Sequence, residues 1–263
     1  MIITKLQGGL ANQLFQWAYA RHISNKYNLK FYVDLEFYDQ IIPDTTKRSY
    51  SLSKFPNINA EVFDRYNLTT NKSFQQLSDN FIFSYFNFNP DYNYYLNGYW
   101  QSEKYFSESS ELIRKELSPS EDMLKNLKKT PFLDTNTISL HVRRGDYLNS
   151  NGYHPVQSVE YYKNAIDIVG DYDYIFVFSD DIKWCKDNLK FDNMIFIEGL
   201  TDIEDLHLMS LCNHNIIANS SFSWWGAWLN SNPDKKVIAP IKWFGDKANL
   251  NCEDIIPDNW IKI

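Results

Sequence analysis

Two adjacent arginines, a glycine and an aspartate, Arg143-Arg144-Gly145-Asp146, follow directly on the alternating run Ile138-Ser139-Leu140-His141-Val142. Each guanidinium is a rigid fork of donors that matches phosphate oxygens, so the pair suits a doubly charged phosphate. The plainer alternative is that Arg143 and Arg144 form ion pairs with Asp146 and other carboxylates. Two more polar segments share the pattern of following an apolar run: Ser179-Asp180-Asp181 and Asn219-Ser220-Ser221-Phe222-Ser223. Both open a predicted helix, where free backbone N–H groups and the positive end of the helix dipole favour an anion. Ser220, Ser221 and Ser223 add hydroxyl donors. Convergence of two arginines with a serine-rich helix start describes a diphosphate pocket.

That convergence requires a particular scaffold. From Ile138 onward the sequence alternates regularly. Predicted strands at 138–142, 174–178, 194–197, 215–218 and 236–239 are separated by predicted helices at 158–169, 181–189, 202–212 and 222–230. Repeated βα units imply a parallel sheet covered on both faces, with ligands at the carboxyl ends of its strands. All three polar segments fall on that edge. Within the first strand, Ile138, Leu140 and Val142 share one face and Ser139 and His141 the other.

The first half of the chain is less regular. Ile2–Leu6 reads as a strand, followed by Gly8-Gly9-Leu10-Ala11-Asn12-Gln13 and a helix with Phe15, Tyr19 and Ile23 at i, i+4 spacing. The two adjacent glycines do not make the G-x-G-x-x-G dinucleotide fingerprint. Asn12 and Gln13 could hold hydroxyls or phosphate, or simply cap the helix. Asp34 reads as a strand-end residue. The stretch from Pro43 to Leu77 is polar and loop-like, and Phe81–Phe106 is dense in aromatic residues. Most of those rings suit a core. The turn Tyr99-Trp100-Gln101-Ser102-Glu103 combines ring faces with polar groups, as carbohydrate recognition does. Two helices broken at Ser118-Pro119-Ser120 lead to Lys128-Lys129-Thr130-Pro131, which places the domain boundary between 131 and 132.

Composition bounds the partners. The 263 residues are 44% hydrophobic, 22% charged and 17% aromatic, with a net charge of −7. A negative chain with two local arginines argues against nucleic acid and for a small anion. Cys185, Cys212 and Cys252 show no metal-ligand spacing and suit a reduced compartment. No apolar run reaches the roughly twenty residues of a membrane span, and Met1-Ile2-Ile3-Thr4 carries no basic leader, so a cytoplasmic protein is expected. A lipid-linked acceptor would bring it to the inner face of the membrane. Asp171-Tyr172-Asp173 matches a D-x-D metal pattern but precedes its strand, and Asp180-Asp181 reads as a helix cap; no metal is expected.

Four segments in this order, Gly8–Gln16, His141-Val142-Arg143-Arg144-Gly145-Asp146-Tyr147, Phe178–Asp181 and Asn219–Trp225, resemble the motifs of the bacterial galactoside α-1,2-fucosyltransferases of glycosyltransferase family 11. The resemblance spans nearly the whole chain. It implies an α/β, GT-B-like fold of two Rossmann-like domains, 1–131 on the acceptor side and 132–263 binding the nucleotide. It also implies an inverting transfer of L-fucose from GDP-L-fucose to the 2-hydroxyl of a galactoside, free or in a surface polysaccharide, without cofactor or metal. Ala11 departs from the family, which usually has Gly there. Carried over by position, Arg143 binds the donor phosphate with Arg144 beside it, His141 lies near the nucleoside, and the Asp205 carboxylate accepts from guanine. Asn12, Gln13, Ser220, Ser221 and Phe222 complete the donor set.

Arg143 would stabilise the charge left on the β-phosphate as the sugar departs. The acceptor hydroxyl must lose a proton, for which Asp146, His154 and Glu103 are candidates; Asp146 could equally orient the arginines. Trp100, Glu103 and His154 form the acceptor-side set. Two alternatives keep the scaffold: a transferase using another GDP-sugar or linkage, and a non-catalytic protein that binds GDP or a glycan. Oligomeric state leaves no mark on the sequence.

Overall fold

A computed structural model describes residues 1–40, 47–66, 70–79, 81–150 and 152–263. The chain divides into two compact units, Met1–Ser118 with Asn251–Pro257, and Pro119–Leu250 with Asp258–Ile263. Each unit is built on a parallel sheet, which is the α/β, GT-B-like organisation expected.

The first unit contains β1 (Ile2–Lys5), α1 (Leu10–Tyr27), β2 (Phe31–Asp34), α2 (Glu36–Asp39), β3 (Glu61–Val62), β4 (Phe74–Ser78), β5 (Asn93–Asn97) and α3 (Ser110–Glu116). Among the described residues its strands run in the order β3-β2-β1-β5-β4, and all pairings are parallel. Helix α1 buries Leu14, Phe15, Trp17, Ala18, Tyr19 and Ile23, so the i, i+4 stripe read from sequence is its core face. Strands β3 and β4 lie in the stretch expected to be loop-like. Their residues are almost all exposed, so no alternation of apolar and polar side chains marks them. The rest of that reading, at 43–46 and 67–69, lies outside the described residues.

The second unit contains α4 (Glu121–Leu127), β6 (Thr137–Val142), α5 (Val159–Val169), β7 (Tyr174–Ser179), α6 (Ile182–Asn188), β8 (Met194–Phe196), α7 (Asp202–Leu211), β9 (His214–Ile216), α8 (Ser221–Leu229), β10 (Val237–Ala239) and β11 (Ile261–Lys262). Each expected strand and helix of this half is present within two residues of its predicted ends. The two-residue β11 was too short to register as a pattern. The division falls at Ser118 and Pro119, ahead of the expected 131. The reason is α4, whose Leu127 and Met123 pack with Phe176, Phe178, Leu208 and Met209.

The described order β11-β10-β9-β6-β7-β8 is parallel throughout. Sequence runs outward in both directions from β6 and β9, which makes their junction the topological switch point where such sheets bind ligands. Strand β7 shows how both faces are covered. Ile175 and Val177 join Ile138, Leu140, Tyr162, Ala165 and Cys185 on one face, while Phe176 and Phe178 join α4 and α7 on the other. Full burial of each such side chain contributes about 1.5–3 kcal/mol, so this sandwich is a rigid base for its loops.

Candidate active site

Strand β6 delivers its residues to alternate sides, as its period requires. On the polar side, His141 is 5% exposed and its Nδ1 shares a 2.8 Å hydrogen bond with the Ser223 hydroxyl of α8. Burial, and secondarily the Arg143 charge, push the His141 imidazole down to about 3, so it is neutral at pH 7. Phe222 stands beside the ring at 5.9 Å between centroids. Ser220 caps α8, its hydroxyl accepting from the Phe222 N–H at 3.3 Å. Ser221 opens the helix. The expected donor residues His141, Ser220, Ser221 and Phe222 are therefore gathered at the start of α8, across the switch point.

Beyond β6 the two arginines part. Arg143 donates from Nε and a terminal nitrogen to Oδ1 of Asp146, at 3.1 and 2.7 Å, and its Nε lies 3.2 Å from Oδ2 of Asp180. Arg144 pairs instead with Asp181 at 3.2 Å and stacks its guanidinium 3.9 Å from the centre of the Trp184 ring. The Asp146 carboxylate thus orients Arg143, the ion-pair reading that the sequence left open. Asp180 does so too, which the sequence reading as a helix cap had missed. Asp181 is the cap, accepting from the Trp184 N–H at 3.1 Å. Gly145 is required by this closeness: a Cβ there would lie 2.5 Å from the Asp180 carboxylate. The signal available in the sequence was the place of Ser179-Asp180-Asp181 at a strand end on the same edge.

His154 belongs to this neighbourhood. Its ring stacks on Tyr147 at 4.6 Å and 14°, and the Arg143 guanidinium lies 5.5 Å from the same Tyr147 ring. Asn219, after β9, ties these loops together. Its carbonyl accepts from the Tyr147 hydroxyl at 2.9 Å, its Oδ1 accepts from Gln157 at 3.0 Å, and its Nδ2 donates to the Trp243 carbonyl at 3.0 Å. No local sequence pattern announces such a hub.

Asp205 lies in the first turn of α7, on the same carboxyl edge. Its Oδ1 is buried with no hydrogen-bond partner among the described residues. Desolvation first, then the charges of Asp202 and Glu204, push the carboxyl up to about 7. An unpartnered buried carboxylate oxygen is costly unless something else supplies donors.

In the first unit the expectations need correction at two residues. Gln13 is fully buried, and its amide is consumed by backbone: Nε2 donates to the carbonyls of Gly8 and Ser49 at 3.2 and 2.9 Å, and Oε1 accepts from the Ser51 N–H at 2.8 Å. It is structural, with no group left for a donor. Trp100 has no exposed surface and packs against Tyr19 and Tyr105, at 4.8 and 5.2 Å between centroids. Asp79 accepts from its backbone N–H, at 2.7 Å, and from that of Tyr99. A ring so enclosed cannot stack on a sugar. Asn12 is half-buried and accepts from Gln101 at 2.9 Å; Glu103 is half-buried in the single helical turn Glu103–Tyr105. Ala11 leaves the turn unstrained, because the positive φ of 78° falls on Gly8 while Ala11 is already helical. Asp34, at the end of β2, accepts from Tyr95 and Arg65 at 2.7 and 2.9 Å, as a strand-end residue.

The D-x-D segment lies at the amino ends of the second sheet's strands, where Asp171 and Asp173 hold Asn136. Among the described residues no three His, Cys, Asp or Glu side chains cluster at metal-binding geometry. Nor is any described helix long and apolar enough to cross a membrane.

This two-sheet fold is shared with solved glycosyltransferases. The crystal structure of fucosyltransferase NodZ from Bradyrhizobium superposes with a TM-score of 0.54 at 12% identity, over 86% of this chain and 90% of that one. A NodZ α-1,6-fucosyltransferase crystal soaked with GDP-fucose gives 0.53 at 13% identity, over 89% and 96%. At the level of sequence, the profile of glycosyl transferase family 11 matches residues 4–263, and the chain belongs to that family. An α-1,2-colitosyltransferase of Escherichia coli is 33% identical over all of this chain and 99% of its own length. The O-antigen biosynthesis glycosyltransferase WbnK of Escherichia coli is also 33% identical, over 98% and 99%.

Proposed function

We propose that this glycosyltransferase moves L-fucose from GDP-L-fucose to the 2-hydroxyl of a galactoside, with inversion, in the building of a bacterial surface polysaccharide. The observation that carries the donor is the buried Oδ1 of Asp205, unpartnered among the described residues, at the carboxyl edge of the second sheet. Guanine presents two adjacent N–H donors, which a carboxylate matches and which adenine and uracil lack. The α-1,2 linkage and the polysaccharide context are supported by the two full-length relatives named above.

In this reading the second unit binds the donor and the first serves the acceptor. Arg143 faces the β-phosphate, held in aim by Asp146 and Asp180. As the fucose C1–O bond breaks, negative charge grows on that phosphate and the guanidinium holds it more strongly in the transition state than in the ground state. The start of α8 adds N–H groups and the Ser220 and Ser221 hydroxyls to the diphosphate. Arg144, engaged with Asp181 and Trp184, supports the loop from the side.

A second reading changes the sugar to colitose, favoured by the colitosyltransferase relative. Colitose is fucose without its 3-hydroxyl, so a site for either accommodates most of the same groups. Transfer assays with both GDP-sugars and a panel of β-galactosides, with EDTA present, decide it. Product from GDP-fucose on particular galactosides supports the proposal, and a preference for GDP-colitose replaces it with the second reading. GDP binding without any transfer sinks the catalytic claim for these acceptors.

A further inference from the structure

We infer that the imidazole of His154, held against Tyr147 beside Arg143, takes the proton of the attacking acceptor hydroxyl. The inference rests on the reading that Arg143 binds the leaving phosphate. Three side chains could serve by type, and geometry separates two of them. Asp146 already accepts two Arg143 donors on Oδ1, so its function is to aim the arginine. Among the described residues His154 carries no ion pair.

Its placement is built from several directions. The ring stacks on Tyr147, and Tyr153 and Phe244 close around it at 4.8 and 5.6 Å between centroids. Nδ1 is buried without a partner among the described residues, which leaves Nε2 as the nitrogen able to reach a substrate. The Ser150 hydroxyl donates to the Tyr147 carbonyl at 2.8 Å and accepts from the His154 N–H at 3.1 Å, folding the loop back on itself. On the far side the loop touches backbone to backbone: a Cβ on Gly245 would lie 1.8 Å from the Gly152 carbonyl oxygen, and the Gly245 N–H donates to Tyr153 at 2.9 Å. The buried Asn219 then fixes Tyr147, Gln157 and Trp243, which flank His154 and Phe244 in sequence. An exposed loop of no consequence has no need of so many restraints.

The charge state agrees. Burial lowers the affinity of the imidazole for a proton; the nearby Asp146 opposes this and Arg143 adds to it, so the ring is neutral near pH 7 and free to accept. The step then balances. The acceptor oxygen forms its bond to C1, the C1–O bond to the β-phosphate breaks with its electron pair leaving on GDP, and the hydroxyl proton passes to Nε2 and afterwards to water.

Two variants test this. His154→Phe keeps an aromatic ring for Tyr147 but has no nitrogen. It is expected to lose about 10²–10⁴-fold in kcat, the usual worth of a positioned proton acceptor, with GDP affinity and melting temperature unchanged. His154→Ala is expected to lose as much and to recover at least about tenfold with added imidazole. Transfer by His154→Phe within about threefold of wild type, or no imidazole recovery in His154→Ala, would overturn the assignment in favour of a packing role. Wild-type protein that binds no GDP would instead overturn the donor reading beneath it, so the two failures are distinguishable.

Discussion

The two sheets carry the same kind of connection, a strand, a polar turn and a helix at a change of strand order, and use it in opposite ways. After β1, the amide of Gln13 is saturated by the backbone of Gly8, Ser49 and Ser51. After β6, Arg143 is gripped by carboxylates that are themselves partly exposed, and after β8 Asp205 keeps a buried oxygen without a partner among the described residues. A polar residue bonded to its own backbone stabilises a loop. One held by groups that leave donors or charge unspent can hold a ligand, which is how one architecture serves different ends.

The contrast breaks first at Arg143. Arg143→Ala is expected to lower kcat by about 10²–10³-fold, as loss of a pre-placed donor to developing charge does, while the melting temperature barely moves because partly exposed ion pairs add about 1 kcal/mol or less. Equal loss of stability and activity would erase the distinction between the two turns.

Asp205→Asn sharpens it. Replacing a charge-assisted pair of hydrogen bonds is expected to weaken GDP binding by about 10–100-fold in titration calorimetry. Because the free carboxyl titrates at about 7 and guanine favours its ionised form, wild-type affinity rises between about pH 6 and pH 8, and the variant lacks that rise. Stability runs the other way. A carboxyl raised in the folded state adds stability that is complete below its unfolded value and is lost as pH climbs through 7, so Asp205→Asn gains melting temperature relative to wild type at pH 8 more than at pH 5.

Gln13→Ala probes the saturated turn. It strands the buried Ser51 N–H and takes one of two donors from each of the Gly8 and Ser49 carbonyls, and is expected to cost about 1–3 kcal/mol by denaturant unfolding, with the KM for donor unchanged. A donor effect larger than the stability effect would return Gln13 to the binding set. The smallest change is Ala11→Gly: about 0.5–1 kcal/mol less stability from a glycine inside α1, and unaltered transfer, since the positive φ belongs to Gly8.

Local pattern was enough for much of this molecule. Alternation in β6, the apolar run of β7, the i, i+4 stripe of α1 and the serine-rich start of α8 depend on neighbours a few residues away, so the βα repeat and its polar carboxyl edge were legible directly. So was the family, through four motifs in order; the resemblance also put Asp205 forward as a candidate, which composition and spacing never singled out. Residue type and spacing did not separate Arg143 from Arg144; only the resemblance did. Only the fold adds Asp180 to the local Asp146 as partner of the first and gives Asp181 and Trp184 to the second, because both arginines leave the end of β6 and the two aspartates, each 37 residues on, leave the end of the neighbouring β7. For the same reason Trp100 and Gln13 looked available and are not. Whether a ring or an amide faces a ligand or the interior is decided by what long-range strand pairing places over it, and neither residue type nor spacing encodes that.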